Sequence, residues 1–179
     1  MARTAMDRGN ALHLYITRHG KAQPESPTGR DEDRPLRKRG ERQAHHLAEI
    51  FAALDRPPTL VMTSPLKRAI DTAQIILASL DCECRVEPIL GLGHTASDVV
   101  EVLEVISRAA DHRSIVLVGH NPQLETLVGV LTSGPTGEPI RLRTGECAVV
   151  EISTPENPVG TGLLHGLWRD GRDDERISP

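Results

Sequence analysis

Short apolar segments alternate with longer amphipathic segments between residues 12 and 131, and this alternation strongly constrains the fold. Segments 12–17 and 114–118 have the length and apolar content of buried strands. Segment 36–54 instead places apolar residues on one face at helical spacing. Strands that alternate with helices indicate right-handed crossovers and a largely parallel sheet. The sequence therefore predicts an α/β three-layer sandwich, with helices on both faces of a mostly parallel central sheet.

The same pattern of apolar residues predicts the remaining strands and helices and the extent of the domain. Further strands are predicted at 59–63, 84–87, 146–152 and 163–168. A second helix is predicted at 66–80, with Ser64 as its N-cap. A third begins at Asp98, which forms a capping box with Glu101. A fourth extends from Asn121 to about residue 131. We expect a single domain over residues 11–169 without a lid insertion. The polar residues 1–10 and the charged residues 170–179 are predicted to be disordered.

Composition excludes several classes of function. The net charge is −4 and aromatic residues make up only 2%, which argues against a nucleic-acid binder. No apolar run approaches the roughly 20 residues that span a bilayer, and the N-terminus has no apolar signal-peptide core. The three cysteines form no metal pattern or even disulfide set. We therefore expect a cytoplasmic monomer without membrane or nucleic-acid partners, metal or cofactor.

Candidate functional side chains follow three of the predicted strands. Arg18 and His19 end the first strand, Ser64 and Arg68 follow the second, and His120 follows the most apolar one. Open α/β sheets place ligands at the carboxyl edge of their strands, so these side chains are expected to meet there. The long connection 21–34, which ends in Arg34, is expected to be functional because structureless loops of this length usually are.

These residue types suit the transfer of a phosphoryl group. Arginine binds phosphate oxygens with two parallel hydrogen bonds and stays charged at any working pH. Neighbouring arginines should also lower the pKa of His19 and keep a lone pair free for attack on phosphorus. His120 would donate hydrogen bonds to the phosphoryl oxygens. This interpretation makes His19 a nucleophile that becomes a phosphohistidine.

Three motifs resemble the signatures of the histidine phosphatase superfamily, which has the phosphoglycerate mutase-like fold. They are Thr17-Arg18-His19-Gly20, Ser64-Pro65-Leu66-Lys67-Arg68-Ala69 and Gly119-His120-Asn121-Pro122. Arg34-Pro35-Leu36 followed by Gly40, and Asp71-Thr72-Ala73, make the sequence most similar to the SixA-type phosphohistidine phosphatases. The resemblance implies that His19 is the nucleophile and that Arg18, Arg34, Arg68 and His120 line the phosphate pocket, with Ser64 as a further binding residue.

The expected activity is hydrolysis of phosphohistidine on a protein. Many relatives carry a catalytic acid in a helical insertion after the second motif, for which this chain has no room. Glu87 and Asp98 are the nearest carboxylates in sequence, and His94 is a further candidate. A leaving imidazole needs less acid assistance than an alkoxide, which favours a phosphohistidine substrate. A phosphomonoesterase acting on a small phosphate ester and a non-catalytic phosphate-binding protein remain alternatives.

Overall fold

Within the described residues, 11–109 and 112–171 of a computed structural model, six strands form one mixed sheet. The strands are β1 (Leu12–Arg18), β2 (Leu60–Thr63), β3 (Glu83–Val86), β4 (Ser114–Gly119), β5 (Cys147–Ile152) and β6 (Gly162–Trp168). The helices are α1 (Lys38–Ala52), α2 (Lys67–Leu77), α3 (Ala96–Ala109) and α4 (Gln123–Ser133). The α/β prediction is confirmed.

The strand order in the sheet is β3-β2-β4-β1-β5-β6. The pairs β3–β2, β2–β4 and β4–β1 are parallel, whereas β1–β5 and β5–β6 are antiparallel. The carboxyl ends of β1, β2 and β4 therefore lie side by side at one edge of the sheet. Between α2 and β4 the described residues contain only β3, a short 3₁₀ turn and α3, so they hold no lid-sized insertion.

Alternate residues of the central strands pack against helices on opposite faces of the sheet. Leu14 and Ile16 of β1 join the core formed with α3 and α4, whereas Tyr15 joins the core formed with α1 and α2. A strand that is buried on both faces has apolar residues at consecutive positions, which explains the sequence Ser-Ile-Val-Leu-Val-Gly of β4. The chain's one Tyr, one Phe and one Trp meet in the second core, with ring centroids of Tyr15 and Phe51 5.0 Å apart.

The caps of two helices differ from the prediction. Helix α2 begins at Lys67, and Ser64 does not cap it; instead the Ser64 hydroxyl oxygen accepts the Leu66 backbone N–H at 3.2 Å. Helix α3 begins two residues before Asp98. Thr95 occupies the cap position, and the backbone N–H of Thr95 donates to the Asp98 carboxylate at 2.6 Å. Asp98 is thus the carboxylate that completes the capping box.

The two ends of the chain meet the prediction only in part. The segment predicted as a disordered N-terminus, residues 1–10, lies outside the described residues, as does 172–179. Asp170, which the sequence placed in the tail, is buried at 3% exposure and accepts from Arg42 Nε at 2.7 Å. None of the described helices has the length and apolar character needed to cross a bilayer.

Candidate active site

A cavity of about 250 Å³ opens at the carboxyl ends of β1, β2 and β4. Five of the six predicted site residues line it, together with further residues of four loops. The lining consists of Arg18, His19, Lys21, Ala22, Arg34, Arg68, Leu92, His120, Asn121 and Thr144. The convergence of strand ends expected from the sequence is therefore present in the structure.

His19 follows β1 directly and is held by backbone contacts. Its own N–H donates to the Gly119 carbonyl at 3.1 Å, which extends the parallel pairing of β1 with β4 by one residue. Its ring Nδ1 donates to the Gly20 carbonyl at 2.7 Å. A carbonyl only accepts, so the proton of the neutral ring is on Nδ1 and the lone pair is on Nε2. His19 therefore presents an unprotonated nitrogen.

Burial lowers the pKa of His19 to about 4, although the hydrogen bond to Gly20 acts in the opposite direction. The positive charges of the surrounding arginines lower this pKa further. The prediction from sequence explained the lowered pKa of His19 by the arginines alone, whereas desolvation is its largest cause in the structure. His19 is thus neutral at pH 7.

Close backbone packing explains the glycine after His19. A Cβ on Gly20 would lie 2.6 Å from the Gly40 carbonyl oxygen, and a Cβ on Gly40 would lie 2.3 Å from the Lys21 carbonyl oxygen. Contacts this short exclude a side chain at either position. The segment after β1 is therefore pressed against the first turn of α1, which fixes the path of the chain beside the nucleophile.

Arg68 lies in the first turn of α2 and is buried at 3% exposure. The Thr72 hydroxyl donates to the Arg68 carbonyl at 2.7 Å and accepts the Gly20 N–H at 3.0 Å. This bridge ties α2 to the end of β1. Arg68 Nε is buried and has no hydrogen-bond partner among the described residues.

Arg18 is anchored from a loop that the sequence did not implicate. Its Nη1 donates to the Leu142 carbonyl at 2.9 Å, and that carbonyl also accepts from Asn121 Nδ2 at 2.8 Å. The Glu125 carboxylate accepts from Asn121 Nδ2 and from the Leu142 N–H. Arg18 Nε remains buried without a partner among the described residues. Asn121 was recognised only as part of a motif, and its bonds show what it contributes.

His120 and His19 face each other with ring centroids 5.0 Å apart. Burial lowers the pKa of His120 to about 3, with smaller contributions from His19 and the nearby charges. Ser64 is absent from the cavity lining; it lies behind His120, with its hydroxyl oxygen 2.7 Å from His120 Nε2. Ser64 was expected to bind the phosphate directly, but in the structure it contacts His120 instead.

Arg34 reaches the cavity from the loop between β1 and α1, and Asp31 links it to Arg68. Asp31 Oδ1 lies 2.8 Å from Arg34 Nε, and Asp31 Oδ2 accepts from Arg68 Nη2 at 3.0 Å. The Asp31 carbonyl accepts from Arg68 Nη1 at 2.8 Å. Burial acts to raise the pKa of Asp31, but the two arginines outweigh it and hold this pKa below its ordinary value. Asp31 is not among the site residues predicted from the sequence.

The candidate acids from the sequence do not line the cavity. Glu87, Asp98 and His94 are all absent from its surface, and Asp98 is occupied with the cap of α3. The described residues that do line the cavity include no Asp or Glu. Nor do three or more His, Cys, Asp or Glu side chains of the described residues form a group that could hold a metal ion.

Comparison with known proteins assigns the family. Residues 14–91 match the histidine phosphatase superfamily (branch 1). An uncharacterized protein of Picosynechococcus sp. is 33% identical over 134 residues, which cover 74% of this chain and 80% of that protein. The chain belongs to the histidine phosphatase superfamily.

Solved structures share the fold. The protein histidine phosphatase SixA complexed with tungstate superposes with a TM-score of 0.77 at 23% identity, over 88% of this chain and 97% of that chain. The α-ribazole phosphatase from Shigella flexneri superposes with a TM-score of 0.66 at 20% identity, over 87% of this chain and 96% of that chain. The phosphoglycerate mutase-like fold expected from the motifs is confirmed, and membership of the superfamily supports phosphatase activity.

Proposed function

We propose that this protein is a metal-independent phosphatase with His19 as nucleophile, and that its substrate is phosphohistidine carried on a protein. One observation carries the proposal: a cavity at three strand ends combines three arginines with two neutral histidines, and no carboxylate is among its described lining residues. We assign the reaction to a cytoplasmic monomer that uses no cofactor.

In the first step His19 Nε2 attacks the phosphorus atom. The hydrogen bond from Nδ1 to Gly20 keeps the lone pair on Nε2 and orients the ring. A P–N bond to His19 forms as the bond from phosphorus to the leaving nitrogen breaks, and the leaving imidazole retains the electron pair of that bond and takes a proton from solvent water. No base has to remove a proton from Nε2 of His19 before the attack, because the pKa of about 4 leaves this nitrogen unprotonated at pH 7.

The arginines and His120 stabilise the phosphoryl group during transfer. Negative charge spreads over three equatorial oxygens, so catalysis depends mainly on positioning and on cationic donors. Arg18 and Arg68 each keep a buried Nε that has no partner among the described residues. Groups held in place in this way do not have to reorganise when charge develops.

In the second step water attacks the phosphorus of phosphorylated His19. The P–N bond breaks, inorganic phosphate is released, and His19 returns to its neutral form. The same arginines bind the phosphoryl oxygens in both steps. The chain's own residues therefore complete one cycle without a bound metal ion or cofactor.

The lack of a carboxylate in the described lining favours a P–N over a P–O substrate. An alkoxide needs a proton from a positioned acid, which contributes about 10²–10⁴-fold in rate. The imidazole of phosphohistidine is a much better leaving group once it is protonated. A site without a carboxylic acid therefore loses little with this substrate and much with an ester.

The shape of the site favours a protein over a small molecule. The described residues provide no lid, so little of a small substrate would be buried and remote binding energy would be limited. A protein can supply that energy through the surface around the cavity, including the loop of residues 21–34. A small-molecule phosphomonoesterase is the second candidate, supported by the structural likeness to an α-ribazole phosphatase.

The test compares kcat/KM for a phosphohistidine-bearing protein domain, a sugar phosphate and an aryl phosphate under identical conditions with a chelator present. His19→Ala is assayed in parallel to subtract spontaneous hydrolysis of phosphohistidine. We expect the phosphohistidine domain to give the highest value. A clear preference for the sugar phosphate would establish the second candidate instead. If none of the three substrates is turned over, the phosphatase proposal is wrong and a non-catalytic phosphate-binding protein is the alternative that stands. Loss of activity in chelator would contradict the metal-independent mechanism.

A further inference from the structure

A hydrogen-bonded chain lies behind His120. His120 is buried at 4% exposure, and its Nε2 lies 2.7 Å from the hydroxyl oxygen of Ser64, which is fully buried. The same oxygen accepts the Leu66 backbone N–H at 3.2 Å. The other ring nitrogen, Nδ1, is buried and has no hydrogen-bond partner among the described residues. The ring lies beside His19 in the lining of the cavity.

The position of the protons follows from counting donors and acceptors. Ser64 has one hydroxyl proton, and its oxygen already accepts from Leu66. If His120 Nε2–H donated to this oxygen, the hydroxyl proton would be buried without an acceptor among the described residues. Donation from Nε2–H would thus leave both the Ser64 hydroxyl proton and the Nδ1 lone pair without partners in the described part of the chain, whereas donation from Ser64 to Nε2 leaves only Nδ1–H unpaired there. The hydroxyl therefore donates, and the ring carries its proton on Nδ1.

We propose that Ser64 is a positioning residue that fixes His120 as the Nδ1–H tautomer, so that Nδ1–H is the hydrogen-bond donor to the phosphoryl group. The identity of this ligand rests on the proposed function. An anion requires a donor at that place, because the other tautomer would present a lone pair to a negatively charged oxygen. Ser64 acts through His120 and does not touch the substrate.

The arrangement gives two neutral imidazoles opposite roles. Both rings carry their proton on Nδ1. In His19 the Nδ1–H donates a hydrogen bond to the Gly20 carbonyl, and the Nε2 lone pair is left for attack. In His120 Ser64 occupies Nε2 and leaves Nδ1–H for the ligand. The low pKa of His120, about 3, means that a second proton is absent at pH 7, so its tautomer alone decides whether it can donate.

The direct test is ¹⁵N NMR of histidine-labelled protein at pH 7, since each ring nitrogen reports whether it carries a proton. His120 should show a protonated Nδ1 and an unprotonated Nε2 in the wild-type protein. Addition of vanadate, which mimics five-coordinate phosphorus, should shift the Nδ1 signal. A protonated Nε2, or a Nδ1 signal that does not respond while vanadate binds, would overturn the proposal.

Two variants separate tautomer control from a general effect on packing. Ser64→Ala removes the donor to Nε2, and His120 should then populate both tautomers. We expect kcat/KM to fall about 10-fold to 100-fold, the range for removing a group that orients a functional histidine. Thr63→Val removes a buried hydroxyl one residue away, which donates to the Ser64 carbonyl and not to His120. It should change neither the tautomer nor kcat/KM.

The two proposals fail in different ways. The tautomer is measured without turnover, so an unchanged His120 tautomer in Ser64→Ala overturns the role of Ser64 even if the enzyme is an active phosphatase. Absence of turnover with every phosphorylated substrate overturns the proposed function and leaves the tautomer measurement intact. If Ser64→Ala does not fold, as judged by circular dichroism, the wild-type spectrum alone decides.

Discussion

The candidate site has two parts that are held in different ways. One part follows the ends of β1, β2 and β4, where His19, Arg68 and His120 are each less than 10% exposed. The rings of His19 and His120 bond to the Gly20 carbonyl and to Ser64, and the buried Thr72 ties the backbone of Arg68 to the end of β1. The other part is the loop between β1 and α1, which brings Arg34 to the cavity through the exposed residue Asp31. The Asp31 side chain is 54% exposed.

We expect this difference to separate groups that are held in place for catalysis from groups that can adjust to the substrate. Buried groups with fixed partners are preorganised, and their removal should cost much of the rate. Exposed ion pairs contribute about 0–1 kcal/mol each because water and salt screen them. The loop can therefore rearrange around a protein substrate at small cost while His19 and His120 stay in place, and the Arg68 guanidinium would then give up its bonds to Asp31. Substitutions in the two parts should differ in size accordingly.

The largest effect is expected at His19. His19→Ala removes the proposed nucleophile and should lower kcat by at least about 10³-fold, as for nucleophile deletions in other enzymes. Rapid quench of the wild-type enzyme with ³²P-labelled substrate should trap the label on His19. The control is His13→Ala at the opposite end of β1, which should leave kcat unchanged. Label on His120, or an active His19→Ala variant, would contradict the assignment.

Arg68→Lys should have the next largest effect. Lysine keeps the positive charge but loses the planar pair of donors, so we expect kcat/KM to fall about 100-fold, as for a lost transition-state donor. Arg85→Lys is the matched control, because Arg85 lies on the exposed strand β3 and donates to Glu83 at 2.7 Å. Full activity of Arg68→Lys would show that charge alone suffices there and would weaken the contrast between the two parts.

The strand-end part was predictable because burial leaves a clear pattern in the sequence. An apolar run that stops at His19 or His120 indicates both the strand and the edge of the sheet where it ends. Arg68 followed from its place just after β2. The helix starts were less predictable, because Ser64 contacts His120 instead of capping α2, and Asp98 closes the capping box of α3 instead of opening the helix. Propensity alone does not choose between a cap and a tertiary contact.

The loop part was not predictable in detail. Residues 30–42 read as a mixed charge run, and nothing in such a run shows which carboxylate pairs with which arginine. Asp31, Glu32 and Asp33 are consecutive acids, yet only Asp31 is paired with Arg68. The choice depends on the short 3₁₀ helix of residues 31–33 and on the position of α2, which the local sequence does not encode.

The smallest effect, and the finest test of the comparison, is expected at Asp31. Asp31→Asn keeps the shape of the side chain but removes the charge that links Arg34 to Arg68. We expect kcat/KM to fall only about threefold to fivefold, because the carboxylate is half exposed and such pairs are worth up to about 1 kcal/mol. The loss should shrink as ionic strength rises, since salt already screens the pair in the wild-type enzyme.

Asp33→Asn is the matched control for this substitution. Asp33 lies two residues further along the same 3₁₀ helix, but it pairs with Arg30 at 3.0 Å, away from the cavity. It should leave kcat/KM unchanged at every ionic strength. A fall of 100-fold in Asp31→Asn would place the loop among the rigid catalytic groups. A rise would show that the Asp31 carboxylate competes with the phosphoryl group for the arginines, because removing its charge would then free both of them for the substrate.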